Sequence, residues 1–335
     1  MKGRKILGII LLCFFIIFGS FTGAKADTIL FPVIAIGLPN VTTVISVMNL
    51  PNNTSTHLKY IYRSKDNMTG TPATANHTGD CTTTTFTRPT FAADLVSFDA
   101  SGIFNSGNAM FNDSNSYGGS FELGLSGTKR GYLLVTNSDA AGNRVDVSSN
   151  NAIFGEFGLL EIGFGAMWGG RAINDSARED YDFTSAGTSN WIASLIFKFV
   201  QFFPTNEWTT KFFVSPIGNS MDTANLQGRF ALYHFPGGTT TPGIYTRGGT
   251  AQASNVKNDV TCTSAFNLTE MIDSTVLSAI ENTGGYAAFA GFYDTTLDAT
   301  QNVLVVYKLE YVLEDATYGG TNNNGFILSD NISTW

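Results

Sequence analysis

The chain contains three histidines, His57, His77 and His234, and no two of them stand at the spacing of a helical metal pair. The HExxH, CxxC and CxxCH signatures are absent as well, so a zinc or haem site is not expected, and a histidine on a strand or loop reads as structural. Ser126-Gly127-Thr128-Lys129 has the S-x-x-K spacing that sets a lysine beside a nucleophilic serine in penicillin-recognising enzymes. Here it lies between two strand-like runs with Gly127 at the bend, and a turn is the expectation. No G-x-S-x-G elbow occurs, and spacing marks no His–Asp partner for any serine.

Oxygen donors are more plentiful. Asp113 and Asn115 in one Asx-rich loop, and Asp139 and Asp146 in another, are calcium candidates, with Asp175, Glu179, Asp180 and Asp182 as a third cluster. The EF-hand register is not met, because the twelfth position counted from Asp113 is Gly124 and not glutamate. Asx turns form without an ion, so no cofactor is expected, with calcium as the one candidate. Glu156, Glu161, Asp180 and Asp182 could serve sugar-cleaving chemistry, but no spacing selects a pair. Trp168, Trp191, Trp208 and Trp335 could form a sugar-stacking platform, although aromatic residues in strands are mostly core.

The elements that must position such groups are strands. Short runs rich in Val, Ile, Phe, Tyr and Thr, bounded by Gly, Asn, Asp or Pro, recur along the chain. Examples are 41–50, 57–63, 131–137, 152–168, 208–214, 229–235, 286–293 and 302–313. Phe121–Leu125 and Tyr132–Val135 read as a β-hairpin about the Ser126–Arg130 turn. In the 302–313 run, Val303, Val305, Tyr307, Leu309, Tyr311 and Leu313 share one face, while Lys308 and Glu310 fall on the other, which predicts a wet side. Helix is scarce: Leu268–Glu281 is the best candidate, where Thr269 could cap, and Trp191–Phe203 fits either a buried strand or a buried helix.

Only 14% of the residues are charged, 19 Lys and Arg against 27 Asp and Glu, for a net charge of −8, so clustered cations for a nucleic acid are not expected. Aromatic residues at 13% argue equally against disorder. Lys2, Arg4 and Lys5 precede the apolar run Ile6–Phe18, which is too short for a bilayer span and is followed by the small-x-small triplet Ala24-Lys25-Ala26. Residues 1–26 therefore read as a signal peptide. Four of its residues are basic and none is acidic, so 15 cations and 27 anions remain, a charge of −12.

Export delivers the two remaining cysteines, Cys81 and Cys262, to an oxidising compartment, where a disulfide is the expected reading and two buried thiols the alternative. The expected organisation is all-β, an antiparallel β-sandwich with one or two short helices and two β-domains, 27–171 and 191–335, joined by a linker at 172–190. Tyr62-Arg63 before Cys81-Thr82 resembles Tyr245-Thr246-Arg247 before Cys262-Thr263, which would suit duplicated domains, though Thr-rich composition produces such matches readily.

Leu30-Phe31-Pro32, Leu58-Lys59-Tyr60-Ile61-Tyr62, Arg88-Pro89-Thr90 leading to Val96-Ser97-Phe98-Asp99, and Arg130 through Asn137 carry a resemblance to a group of uncharacterised exported proteins of anaerobic Gram-negative bacteria. It covers mainly the first half and implies export and a β-rich fold, with no catalytic residue carried over. The resulting expectation is a secreted, periplasmic or cell-surface β-sandwich with a structural or binding role, no catalytic constellation, and an unidentified surface or extracellular ligand. The rivals are an outer-membrane β-barrel, which alone would make the membrane a lasting partner, and an extracellular polysaccharide-acting enzyme.

Overall fold

The computed structural model describes residues 28–37, 41–53, 55–66, 77–110, 120–123, 128–145, 152–162, 166–174, 197–217, 224–234, 241–291, 303–312 and 322–329. The first half contributes β1 (Thr28–Gly37), β2 (Val41–Asn49), β3 (His57–Asp66), β4 (Thr82–Pro89), β5 (Asp94–Asp99), β6 (Thr128–Ser138), β7 (Ile153–Glu161), β8 (Ala166–Arg171) and β9 (Ile173–Asn174). The second half contributes β10 (Phe197–Phe202), β11 (Trp208–Pro216), β12 (Gln227–His234), β13 (Thr241–Thr246), β14 (Ala251–Ala253), β15 (Asn258–Thr261) and β16 (Ser264–Asn267). Two short helices follow, α1 (Leu268–Met271) and α2 (Ser274–Ile280), and then β17 (Gly285–Gly291), β18 (Val303–Val312) and β19 (Asn322–Ser329).

The protein is all-β, built from antiparallel sheets that stack face to face, and among the described residues none of them closes into a barrel. The first sheet runs β4-β3-β6-β1-β2-β7-β8, with β5 on β2 and β9 on β1. Among the described residues β1 and β2 pair at Gly37 and Val41 alone, so the sheet folds over on itself there. Ile29, Phe31, Tyr60, Tyr62, Leu133 and Val135 of one leaf thereby meet Ile45, Val47, Val96, Phe98 and Phe157 of the other. Pro32 cannot donate to the ladder, and the β1–β6 register shifts between Phe31 and Ile34 accordingly. Two further sheets, β10-β17-β12-β13-β14 with β15 on β12, and β16-β11-β18-β19, complete the architecture.

The four-stranded sheet is a middle layer. Phe213, Ala265, Tyr307 and Leu309 on one of its faces belong to the core of the first half. Phe212, Val214, Phe266, Leu304 and Val306 on its other face pack with the six-stranded sheet and with Leu268, Val276 and Ile280 of the helices. The opposite face of β1, β3 and β6 is covered as well, since Leu30, Ile61, Tyr132 and Leu134 cluster with Ile217, Cys262 and Val305. Burial on both faces explains why β1 reads as an apolar run without alternation.

Several local expectations need correction. The face of β18 expected to be wet is dry: Lys308 and Glu310 are 3% and 0% exposed, because that face packs toward β10. The expected single helix breaks at Ile272, whose backbone is extended, and it begins after Asn267 instead of being capped by Thr269. Phe121–Leu123 forms no strand, so the hairpin is absent there, and residues 124–127 lie outside the described residues. The 191–203 run becomes strand β10 from Phe197 onward. The two Tyr-to-Cys stretches have different neighbours: β3 pairs with β4 and β6, whereas β13 pairs with β12, β14 and β17, so the similarity is not a repeated unit.

Asp99, Asn137 and Thr90 anchor polar networks that tie loops to the first sheet. Asp99 is fully buried and accepts from Thr42 Oγ1, from the Ser101 N–H and hydroxyl at 2.9 Å and from the Phe104 N–H at 2.8 Å. Asn53 donates to Asn49 and, at 2.7 Å, to Asn137, while Thr90 donates to Asp94 at 3.0 Å. Buried polar groups of this kind hold loops against the sheet and must be satisfied to be tolerated.

Candidate functional site

Cys81 and Cys262 are joined by a disulfide, with S–S 2.08 Å and Cα atoms 6.1 Å apart. Cys262 has φ of 60°, and the Thr263 N–H donates back to the Thr261 carbonyl at 2.7 Å, closing a tight turn that a non-glycine residue occupies at some cost. That turn ends β15 and delivers Ser264 at the head of β16. On the other side of the bridge, the His77 carbonyl accepts the Thr261 N–H at 2.9 Å and Lys65 Nζ at 3.1 Å.

With its backbone held in this way, the His77 ring lies flat on Phe266, centroids 3.9 Å apart and planes 17° from parallel. Its Nδ1 is 2.6 Å from Ser264 Oγ, and its Nε2 is 3.4 Å from Glu270 Oε1. A carboxylate can only accept and a hydroxyl can donate, so the pattern is satisfied by the tautomer protonated at Nε2, leaving Nδ1 to receive the serine proton. Glu270 is itself held: it is the third residue of α1, and its Oε2 accepts the Asn267 N–H at 2.7 Å. The His77 and Glu270 side chains remain 21% and 16% exposed, so the row Ser264–His77–Glu270 reaches solvent.

Glu270 also faces cations. Ser264 and Phe266 share one face of β16, and Ala265 and Asn267 the other; Lys211, opposite Asn267 on β11, lies with the second face. Arg130 enters from β6, so both halves of the chain contribute. Burial pushes the Lys211 ammonium down to about 8, with the Arg130 charge adding to it and Glu270 opposing it. Burial also lowers Arg130, while Tyr311 and Glu270 act the other way. For Glu270, burial raises the carboxyl, but the bonds from His77 and the Asn267 N–H, with the charges of His77 and Lys211, leave it lowered overall. Lys65 is pushed by burial down to about 8 against the opposing charge of Asp80.

The residues singled out from the sequence are dispersed. Asp113, Asn115 and Asp146 lie outside the described residues, as do 175–190, and with them Asp175, Glu179, Asp180 and Asp182. Asp139 is described, and its carboxylate is engaged in its own turn, accepting from Ala141 N–H, Asn143 N–H and Asn143 Nδ2, each at 2.9 Å. Those bonds lower its carboxyl. No group of three or more His, Cys, Asp or Glu able to hold a metal occurs among the described residues. Glu156 is an exposed partner of Arg171 at 3.7 Å. Trp168 stacks on Tyr311 and Trp208 lies against Phe203 at 4.5 Å, both as packing.

Sequence reasoning read His77 as structural, gave Arg130 no role at a site, and did not mark Ser264, Glu270 or Lys211. A signal was nevertheless present: His77 stands four residues before one cysteine and Ser264 two after the other, so the bridge itself predicts that the pair converge. No family model matches the chain, and neither a curated protein nor a solved structure matches it. Its function is therefore argued from this geometry.

Proposed function

We propose that the protein is an exported β-sandwich with a binding role, and that it takes a ligand bearing an anionic group between Arg130 of β6 and Lys211 of β11, beside Glu270. The single observation behind this reading is the charge balance there. Among the described residues Arg130 and Lys211 make no ion pair within 4 Å, the Arg130 charge disfavours the Lys211 ammonium, and Glu270, the carboxylate that acts on both, already serves His77 and the helix start. Two cations kept together in a partly buried place lower stability unless an anion joins them. In a chain of net charge −8 such a surplus is local and points to a bound carboxylate, sulfate or phosphate group. The leader-like residues 1–26 support export, as does a disulfide of the kind that oxidising compartments maintain.

Titration calorimetry with sulfated and carboxylated oligosaccharides and with inorganic sulfate tests the reading. Binding that weakens with salt, and that falls at least about tenfold in Lys211→Met or Arg130→Met, is expected. Heat that neither substitution changes, or the mature protein partitioning into detergent, would count against it.

A further inference from the structure

The row Ser264–His77–Glu270 has the parts of an activated nucleophile: a hydroxyl 2.6 Å from an imidazole nitrogen, the opposite nitrogen aimed at a carboxylate, and all three partly open to solvent. We propose that Ser264 is a nucleophile for acyl transfer from carboxylic esters, with His77 as its general base and Glu270 as the residue that positions the imidazole. This activity goes beyond the anion binding proposed above: the two readings share Glu270, while Ser264 and Lys211 occupy opposite faces of the β11–β16 pairing.

Three features separate this arrangement from an incidental hydrogen bond. The ring is held in place, because one face is stacked on Phe266 and its backbone carbonyl takes two bonds. The tight turn at Cys262 presents Ser264 at the start of a strand, on the same face as Phe266, where it meets the His77 ring that lies on Phe266. The carboxylate is fixed by a second bond to the helix start, so it stands ready to balance the imidazolium that forms. The 3.4 Å reach to Glu270 is of the length that resting sites show before substrate tightens them.

The step balances without a co-reactant other than water. The Ser264 Oγ–C bond forms at the ester carbonyl as the hydroxyl proton passes to His77 Nδ1. The C–O bond to the leaving alcohol then breaks, and the alcohol takes that proton. Water repeats the sequence in reverse roles: its oxygen bonds to the acyl carbon, its proton goes to Nδ1, the Ser264 Oγ–C bond breaks, and Oγ regains the proton as the carboxylic acid leaves.

The test uses the full disulfide-bonded chain and a fluorophosphonate, which forms an O–P bond with an activated serine as fluoride departs. Intact-mass analysis and peptide mapping should find one adduct, on Ser264, absent from Ser264→Ala and formed at least about 100-fold more slowly in His77→Gln. Glu270→Gln, which preserves the cap to Asn267, should lower the maximal labelling rate without changing the reagent concentration for half-maximal rate, a split that a purely structural role would not produce. Folding of each variant is checked by near-ultraviolet circular dichroism. Folded wild-type protein that stays unlabelled at Ser264, or labelling that persists unchanged in folded His77→Gln, overturns the proposal.

Discussion

Lys308 Nζ lies 2.7 Å from Glu310 Oε2, an ion pair between neighbours on one face of β18 whose side chains are 4% and 0% exposed. Each partner is further committed: Lys308 donates to the Gln201 carbonyl at 2.8 Å, and Glu310 Oε1 accepts from the Phe203 N–H and from Thr210 Oγ1, both at 3.0 Å. The pair thus ties the middle sheet to the end of β10.

Removing one partner leaves a buried charge. Glu310→Leu and Lys308→Met, made singly, are each expected to lower unfolding free energy by about 3–5 kcal/mol, while the double variant should lose much less than the sum. Urea unfolding of the four proteins measures this, and additive losses would refute the coupling.

The disulfide spans 181 residues in sequence, so reduction releases a long loop in the unfolded chain. Up to about 5 kcal/mol of stability should be lost in Cys81→Ala/Cys262→Ala, and His77 should lose its hold on Ser264. Chemical denaturation checks the first effect. Fluorophosphonate labelling of the still-folded fraction checks the second.

Lys211 and Lys65 are both held at about 8, below the 10.5 of an unfolded lysine. The folded state therefore binds fewer protons between about pH 8 and 10.5, and stability should rise with pH over that window; the penalty is fully present below pH 8. Tyr132, pushed up to about 12 by burial, works oppositely: its contribution holds below pH 10 and is lost as pH rises through 12. Lys211→Met should be more stable than wild type at pH 7 and show a shallower rise from pH 8 to 10, measured by thermal unfolding. A lower melting temperature at pH 7 would contradict the assignment of a strained cation.

Asp99 carries four acceptor bonds with no exposure, so Asp99→Ala strands the Thr42 hydroxyl, the Ser101 N–H and hydroxyl and the Phe104 N–H together. A loss of about 3 kcal/mol or more is expected, since each unsatisfied buried donor costs about 1–3 kcal/mol and some regain water. Loop 100–110 should also exchange its amide hydrogens faster, which mass spectrometry reads directly.

Pattern alone was enough for the strand class. Alternating and doubly apolar runs such as 57–63 and 229–235 became β3 and β12, because period-two burial is a local property that each segment writes independently. The cysteine count likewise pointed to Cys81–Cys262. What tertiary structure decided was which faces meet. Lys308 and Glu310 read as solvent-facing because polarity normally marks water, yet here a third layer covers them and the charges satisfy each other. Ser264 and Glu270 stand on the continuous β16–α1 stretch, but apart from the cysteine bridge no linear spacing unites it with His77, Lys211 and Arg130; the disulfide, the turn at Cys262 and the packing of the middle sheet against the first half did so. A site assembled across long loops is encoded in contacts whose partners a linear pattern does not name.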